Sequence, residues 1–485
     1  MASDNVREAA IYAPAVTRDF IEPATHPGLL PRAARAIESF FLVHREKLGY
    51  VHAVMFVLFL ALIFGPLFVG EPPEGAEPFD HLVPLANYVL WGLWFPLVFI
   101  SVIVTGRSWC GLLCPMGAAS EFANRRGLMA RIPAWIRWEG TPIVSFVVIT
   151  LLGQTLGVRD HPEAIAGLFG GTMLAAILVG LLYGKYRRAW CRHMCPIGLL
   201  LGIFSRLGAV EFRPKKKVAG GDRWVEKGPC PTLIDIVRKE ESRHCIECFR
   251  CVHKKPDRGL KLRFRLPGEE VANIRHHHPN LYEVFFLFIG TGIALGGFLW
   301  LVLPIYQEWR QAFGVWAIEN DYHWIGEIGP AWLMSVHPER REVFLWLDFL
   351  MIVGFMGLVT LVVTAALSAL TALSAVVSGR FQSSKSPFKE RFAELGYQFA
   401  PVAMVSLVIG LGGELFHAIT LVGLDAGWIQ TAKTALFLLA LGWSFSLGVR
   451  ILRNQSVSGG GLAASLMPGL LGSLFVGGGW WLAIM

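Results

Sequence analysis

The sequence predicts an all-α polytopic membrane protein with about nine transmembrane helices and one small polar insert. Of its 485 residues, 54% are hydrophobic and 16% are charged, whereas a soluble domain has about 25% charged residues. The mean hydropathy is +0.50. Eight cysteines in a chain of this length exclude a secreted disulfide scaffold. The net charge of +8 does not indicate nucleic-acid binding, because the basic residues lie beside apolar segments.

Nine stretches are apolar over roughly the 20 residues that a spanning helix needs. The third is short, and the ninth contains Pro468 and several glycines. The nine are residues 51–70, 82–105, 142–158, 164–182, 284–306, 343–375, 393–422, 430–450 and 460–485.

The distribution of Lys and Arg between these spans predicts their orientation. Residues 71–81 hold four acids and no Lys or Arg, whereas residues 183–283 hold 22 of the 44 basic residues. Alternate loops carry opposite signs, which predicts a cytoplasmic N-terminus and insert and a periplasmic or external C-terminus. Residues 31–48 have the pattern of an amphipathic helix, expected on the cytoplasmic surface.

These patterns predict four regions. They are a cytoplasmic N-terminal segment (1–50), a four-helix membrane module (51–210), the cytoplasmic insert (211–283) and a C-terminal module of about five helices (284–485). The insert contains a run of three lysines, Lys215, Lys216 and Lys217, which we interpret as facing solvent or lipid headgroups.

An internal repeat surrounds four of the cysteines. Residues 107–117 read RSWCGLLCPMG and residues 188–198 read RAWCRHMCPIG, at a constant offset of 81 residues. Because each copy comes after a pair of spans, a parallel repeat about the membrane normal would bring the four thiols together. The proline after each second cysteine suits the first turn of a helix, and a thiol near a helix N-terminus favours the thiolate. The four cysteines are Cys110, Cys114, Cys191 and Cys195.

Four thiolates at one point would suit an iron–sulfur cluster or zinc. The alternatives are four buried, unreactive cysteines, which the duplication disfavours, and two redox-active dithiols, which the sequence leaves open. Trp109 and Trp190 precede the first cysteine of each copy. They would either shield a cluster from water or belong to the interfacial aromatic belt.

The other four cysteines lie in the insert. Residues 245–251 read CIECFRC, which matches the first three ligands of a bacterial ferredoxin motif, but Lys255 occupies the position of the fourth cysteine. Upstream, Cys230 and Pro231 match the end of a motif whose first three cysteines are absent. In two-cluster ferredoxins the fourth cysteine of each motif binds the other motif's cluster. One complete [4Fe–4S] ligand set therefore remains: Cys230, Cys245, Cys248 and Cys251.

The eight cysteines thus divide into two sets of four, which predicts two [4Fe–4S] clusters. A structural zinc site is the alternative for the insert, although the spacing is tighter than in paired zinc knuckles. Disulfides are not expected in the cytoplasm.

These motifs resemble those of the membrane-bound polyferredoxins, over residues 50–260. The family includes the quinol dehydrogenase membrane subunit of periplasmic nitrate reductase, the regulatory electron donor of nitrous-oxide reductase and the cytochrome oxidase maturation ferredoxin. The resemblance implies cytoplasmic iron–sulfur clusters that exchange electrons with quinone or a periplasmic partner. The chain departs from the family by lacking one ferredoxin ligand set and by adding five predicted spans after residue 283. The implied function therefore concerns the front half.

Three ionisable residues in the later predicted spans indicate a second site, because such residues are costly in a membrane and usually functional. They are Asp348, Glu414 and His417, all near the predicted outer ends, and the last two share a helix face. They are candidates for a proton-coupled quinone site or a metal site, or they are helix-end residues bonded to neighbours. Haem b is disfavoured, because His52 and His417 lie at opposite predicted depths. Loop residues His81, His161, His323 and His337 are the other potential partners for His417.

The sequence therefore predicts a membrane-bound iron–sulfur protein that carries electrons between cytoplasmic-side [4Fe–4S] clusters and quinone or a redox protein of either compartment. A subunit of a quinol or quinone oxidoreductase is one enzymatic form of this function. One alternative is a maturation or regulatory factor that supplies reducing equivalents for assembly of another metalloenzyme. Another is a transporter with structural or sensing clusters, suggested by the glycine-interrupted span at Gly410, Gly412 and Gly413.

Overall fold

The computed structural model describes most of the chain from residue 28 onward. Residues 1–27 of the predicted N-terminal segment, and Lys217 of the lysine run, lie outside the described residues. So do the side chains of residues 417, 421, 483 and 484, which belong to helices. The described ranges are 28–73, 75–185, 187–216, 230–255, 258–383, 385–421, 423–425 and 427–484.

The predicted all-α membrane architecture is confirmed. Within the described ranges, eight helices are long and apolar enough to cross a membrane. The eight are Leu29–Phe68, Leu82–Thr105, Pro162–Leu182, Leu281–Val302, Trp346–Phe381, Phe388–Leu411, Gly427–Asn454 and Gly459–Leu482. Shorter helices connect them: Ser108–Leu112, Pro115–Arg125, Ala134–Arg137, Ala189–His193, Gly198–Ser205, Glu269–Ala272, Pro304–Glu319 and Gly413–Leu421.

The third predicted span is the exception to the count of nine. It is the helix Thr141–Thr155, whose 15 residues rise only about 22 Å, less than the thickness of a bilayer core. It nevertheless runs beside Leu281–Val302 for most of that helix. At one end Trp138 Nε1 donates to Tyr282 Oη at 3.3 Å, and at the other Trp300 Nε1 donates to Gln154 Oε1 at 3.0 Å. Irregular residues at its ends thus extend a short helix across the same depth.

The predicted amphipathic helix is present, and part of it contacts the insert. Helix Leu29–His44 continues through the turn Arg45–Lys47 into the first span. Part of its apolar face covers the insert: Phe41 stacks on Phe249 with 3.8 Å between ring centroids. The rest of its apolar residues, including Leu29, Phe40 and Val43, are exposed, and their position on the cytoplasmic membrane surface stays a prediction.

Two spans contain irregular segments. The second span includes a seven-residue π-helix, Tyr88–Trp94, and such segments frequently mark functional sites. The predicted glycine interruption is also present, because one helix ends at Leu411 and the next begins at Gly413. Gly412 is needed between them, since a Cβ there would lie 2.6 Å from Val408 O and 2.8 Å from Pro96 Cγ.

The insert is built on one antiparallel strand pair, Val210–Pro214 with Leu260–Phe264. Its hydrophobic cluster packs Phe212, Phe249 and Leu260 around two of the cysteines. A second, shorter strand pair joins Val336–His337 to Glu342–Val343, on the opposite side of the helix bundle.

A buried ion network anchors the insert to the spanning helices. Arg206 is fully buried, and its guanidinium contacts Glu270 at 2.9 Å and Glu283 at 2.9 Å. Arg243 of the insert also reaches Glu283, at 2.7 Å. Because Glu283 lies in the first turn of Leu281–Val302, the network fixes the insert against the back half of the bundle.

Candidate metal centres

The two copies of the cysteine repeat adopt the same local structure. In each copy the first cysteine is the third residue of a five-residue helix. In each copy the backbone N–H of the second cysteine donates to the carbonyl of the preceding tryptophan, at 2.9 Å. The repeat in sequence is therefore a repeat in structure.

The copies differ on the C-terminal side of the second cysteine. Cys114 is the N-cap of helix Pro115–Arg125, and its Sγ accepts the N–H of Gly117 at 3.5 Å, as the proline pattern predicts. In the second copy the next helix begins only at Gly198, and Cys195 does not cap it. The helix-cap prediction is thus confirmed for the first copy and wrong for the second.

The four cysteines of the repeat, here the repeat quartet, lie together between the two copies. A Cβ on Gly117 would lie 3.2 Å from Cys191 Sγ, so the second copy contacts the helix that the first copy begins. Burial, together with the neighbouring thiols of Cys110 and Cys191, raises the pKa of Cys114 to about 12. Burial and the other three thiols also raise the pKa of Cys195. Four thiolates at this point need a positive charge among them, which bound metal ions supply.

The four cysteines of the insert, here the insert quartet, line a single cavity beside the strand pair. Three of them are buried, and Cys251 is partly buried. The loop between them has Glu247 at φ +52° and Phe249 at φ +57°, left-handed conformations that are uncommon outside glycine. Such alternation turns backbone N–H groups toward one point and forms the nest found at many iron–sulfur sites.

Two of those N–H groups lie near the sulfurs themselves. The N–H of Glu247 lowers the pKa of Cys245, and the N–H of Arg250 lowers the pKa of Cys248, each against the larger effect of burial. Burial dominates and raises the pKa of Cys245 to about 12. The insert quartet therefore has the donor set and the amide environment of a [4Fe–4S] ligand set.

Sulfur separations distinguish a cluster from a single zinc ion. Zinc–sulfur bonds of about 2.3 Å in a tetrahedron place the sulfurs about 3.8 Å apart. Among the described residues, which include all eight cysteines, no three cysteine sulfurs lie within 4.8 Å of one another. All eight are free thiols. The sulfurs of both quartets therefore lie farther apart than the ligands of a closed zinc site.

The two quartets are adjacent, which the sequence did not predict. Gly111 lies between the cysteines of the first copy and packs on the insert loop. A Cβ there would lie 2.0 Å from Ile246 O and 2.9 Å from Cys248 N. At the second copy, the N–H of Arg188 donates to Pro231 O at 2.8 Å, and Nη1 of the preceding Arg187 donates to Cys230 O at 2.7 Å. Each copy of the repeat therefore contacts the shell of the insert quartet.

A buried ion pair, also missed from the sequence, joins the two quartets. Arg188 is fully buried, and its Nε donates to Glu121 Oε2 at 2.8 Å while its Nη1 donates to Cys110 O at 2.9 Å. Arg250 of the insert loop reaches the same carboxylate at 2.6 Å. Burial alone would raise the pKa of Glu121, but Arg188 and Arg250 hold it well below its usual range. The carboxylate thus remains charged and ties the two sites together.

The two tryptophans of the repeat lie inside the protein to different extents. Trp190 is 3% exposed and packs with Cys191 and Cys195. Trp109 contacts Trp94 of the π-helix, with 5.4 Å between ring centroids. Both contacts favour shielding of the repeat quartet over a position in an interfacial belt.

The three ionisable residues predicted as a second site do not form one cluster. Asp348 accepts from Arg310 Nε at 2.5 Å and from the N–H of Leu345 at 2.8 Å, so it is a helix-end residue with both oxygens occupied. Glu414 instead packs against the π-helix, where a Cβ on Gly92 would lie 3.2 Å from its Cβ. His417 is on the helix of Glu414, but its side chain lies outside the described residues.

A cavity of about 340 Å³ lies at the helix ends opposite the quartets, and Glu414, which does not line it, interacts with its lining residue Arg159. Its polar lining residues are Asn87, Arg159 and Asp160, among prolines and aliphatic side chains. Arg159 lies over the Trp91 ring at 5.5 Å and donates to the carbonyl of Gly410. Burial lowers the pKa of Arg159, although Asp160 and Glu414 oppose that shift. The Asn87 Oδ1 atom is buried and has no partner among the described residues.

One further group on that side has the residue types of a metal site. His161, Glu163 and His337 place one ligand atom each within 4.8 Å of the others. However, both ring nitrogens of His161 are engaged, with Glu342 at 3.0 Å and Arg340 at 3.2 Å. The rings of His161 and His337 also stack at 3.7 Å. The group is a hydrogen-bonded cluster that leaves His161 no free lone pair for an ion.

Comparison with known proteins identifies the cysteine-bearing region. Residues 88–136 and 166–217 match the family model of a 4Fe-4S binding domain, and each stretch contains one copy of the repeat. The first half of the chain is therefore similar to membrane-associated ferredoxin-type electron-transport proteins. The protein is therefore an iron–sulfur membrane protein, as its motifs predicted. The family model covers no residue after 217.

Several relatives share this ferredoxin-type module. An uncharacterized protein of Methanocaldococcus jannaschii is 27% identical over 165 residues, which cover 32% of this chain and 64% of the relative. The putative electron transport protein YccM of Escherichia coli is 25% identical over 188 residues, or 33% and 51% of the two chains. The ferredoxin-type protein NapH of Haemophilus influenzae is 23% identical over 209 residues, or 36% and 68%. The chain thus spans about half to two thirds of these relatives' lengths. No solved structure matches the chain.

Proposed function

We propose that the protein binds two adjacent [4Fe–4S] clusters, one in each quartet, and exchanges electrons between them and a membrane quinone. The observation that carries this proposal is the backbone contact of Gly111 with Ile246 and Cys248, which brings the two quartets against each other. When bound, the clusters would supply one-electron redox chemistry. The protein would supply the ligands, the separation and the electrostatics.

The side chains around the quartets have defined parts in this proposal. The amide nest of the insert loop stabilises negative charge on the insert quartet. Arg188 places a buried positive charge between the two quartets, and Glu121 keeps it oriented. Trp190 and the hydrophobic cluster of the insert exclude water, which tunes reduction potentials.

The cavity at the opposite helix ends is the proposed site for the quinone headgroup. It is largely apolar, with a few polar groups at defined positions, as small-molecule sites usually are. The Asn87 amide and the Arg159 guanidinium would bond to the two quinone oxygens, and Glu414 lies close enough to Arg159 to influence its charge. Trp94 is seven positions after Asn87, about 10 Å along a helix, and it contacts Trp109 beside Cys110. This short path supports electron exchange between the cavity and the repeat quartet.

The proposed location is the bacterial inner membrane, with the quartets on the cytoplasmic side and the cavity toward the periplasm. The support is electrostatic: the segment that contains the insert holds 22 of the 44 basic residues, and basic segments remain cytoplasmic.

Reoxidation of the reduced protein by a short-chain quinone tests the proposal. A Glu414→Gln variant is expected to slow reoxidation at least about tenfold, the effect typical of losing a proton-handling group. Asp348→Asn is the matched control, because Asp348 forms a helix cap away from the cavity, and its rate is expected to equal that of the unmodified protein. Equal rates in all three proteins would remove the quinone site. Selective slowing of Asp348→Asn would place the site elsewhere.

A further inference from the structure

The insert quartet comes nearest to solvent at one cysteine. Cys251 is partly buried, whereas Cys230, Cys245 and Cys248 are buried. Cys248 faces the repeat quartet through Gly111. The Cys251 side is therefore where an electron could enter or leave without crossing the protein.

The backbone around Cys251 brings basic residues to this side of the quartet. Gly259 packs on Cys251, where a Cβ would lie 2.1 Å from the cysteine carbonyl, and Leu260 N–H donates to that carbonyl at 3.1 Å. Lys215 N–H donates to Gly259 O at 3.0 Å, which holds the end of the other strand beside it. The loop after Cys251 and the ends of both strands thus form one surface.

We define the basic rim by the exposed cationic side chains of this surface. Basic residues outnumber acids here: among the described residues 210–216, 251–255 and 258–266 the acid is the buried Glu211. Glu38 of the first helix accepts the N–H of Leu262, and the sequence places Asp257 between Lys255 and Arg258. Lys255, at the position of the missing fourth ferredoxin cysteine, belongs to the rim. The rim residues are Lys216, Lys254, Lys255, Arg258 and Lys261.

We propose that the basic rim docks an acidic, soluble one-electron carrier protein, which exchanges electrons with the cluster of the insert quartet. In each event one electron leaves the reduced carrier and enters the oxidised cluster, or the reverse, with no bond formed or broken and no proton transferred. A patch of one sign around a redox centre raises the association rate of an oppositely charged partner by about 10- to 1,000-fold. This inference rests on the proposed function for the cluster but not for the quinone.

An anionic lipid surface is the other partner that a basic patch can bind. The rim favours a protein carrier, because it lies beside Cys251, the most exposed cysteine of the insert quartet. Lipid binding gains nothing from a position at a redox centre.

The test uses the full-length protein in detergent and flavodoxin as the acidic carrier. Lys254→Glu, Lys255→Glu and Lys261→Glu are combined in one rim variant. The control variant combines Arg380→Glu, Lys385→Glu and Lys389→Glu, which changes the net charge equally in the back half and reverses exposed residues outside the insert. Flavodoxin binding is measured by titration, and cluster reduction by stopped-flow absorbance, between about 0.05 M and 1 M salt.

The proposal predicts that the rim variant binds and is reduced at least about tenfold less well than the control at low salt. It also predicts that high salt abolishes the difference between the variants. Equal behaviour of the two variants, or no salt dependence, would overturn the proposal. So would stronger binding of the unmodified protein to phosphatidylglycerol vesicles than to flavodoxin, with loss of vesicle binding in the rim variant.

Dithionite separates this proposal from the proposed function. Dithionite reduction and the iron content are expected to be the same in both variants, because neither replaces a ligand. If dithionite reduces no cluster in any variant, the proposed function fails, while the flavodoxin titration still decides whether the rim docks an acidic protein.

Discussion

Replacing Gly111 by alanine is predicted to separate the two quartets. The added Cβ would lie 2.0 Å from Ile246 O, whereas Cβ contacts below 3.0 Å essentially never occur. The nearest atoms are backbone atoms of Ile246 and Cys248, which no side-chain rotation can move away. The contact must therefore open by about 1 Å, and overpacking of this kind costs about 1–3 kcal/mol. That cost corresponds to a shift of about 5- to 150-fold in the equilibrium between docked and undocked insert.

Electron paramagnetic resonance of the reduced protein measures this effect. When two reduced clusters are held in adjacent sites, their magnetic interaction broadens and splits the signal of each. This interaction falls steeply with the distance between the clusters. The unmodified protein is expected to show an interaction spectrum. Gly111→Ala is expected to show a larger share of independent signals or to lose iron from the insert quartet.

The control is Gly171→Ala in helix Pro162–Leu182, where an added Cβ meets no atom within 4 Å. Alanine is expected to stabilise that helix slightly, by about 0.5–1 kcal/mol, and to leave the spectrum unchanged. An unchanged interaction spectrum and full iron content in Gly111→Ala would refute the assignment of this contact as the junction between the two sites.

The remaining predictions concern the ligand assignment. Cys230→Ser is expected to remove only the cluster of the insert quartet, because Cys230 belongs to that set alone; loss of all the iron would contradict two separate sets. Lys255→Cys is expected to leave the iron content unchanged, because the other three ligands of a second ferredoxin cluster are absent from the chain. Additional iron in that variant would show that the ligands are divided differently.

Hydropathy and the spacing of the cysteines in their motifs predicted the parts of the fold that depend on local sequence. Every predicted apolar stretch contains a helix, because backbone polar groups in a bilayer must be satisfied within the segment. The 15-residue helix Thr141–Thr155 shows the limit of a length criterion, since flanking residues complete its path. The division of cysteines into two sets was predicted from ligand spacing alone.

Contacts between distant segments could not be predicted from one sequence. Nothing near Gly111 indicates that Ile246 lies against it, and a small residue there is compatible with many environments. The sequence shows that both repeat copies begin with an arginine. These arginines, Arg107 and Arg188, are both buried in the structure. The partner of Arg188, Glu121, gave no signal because one acid on a short amphipathic helix usually faces solvent.

The polar residues of the later spans show the same limit. Asp348 and Glu414 look alike in sequence, as single acids near span ends. Their difference arises from neighbours: Arg310 and a backbone N–H occupy Asp348, whereas Glu414 lies beside a π-helix near a cavity. Only the three-dimensional arrangement distinguishes a helix cap from a candidate site.

Iron and acid-labile sulfide content, measured with electron paramagnetic resonance on anaerobically purified protein, tests the central claim most directly. Two clusters predict about eight iron and eight sulfide per chain, with paramagnetic signals after dithionite reduction. A stoichiometric zinc content, or a colourless protein without signals after reduction, would contradict the account.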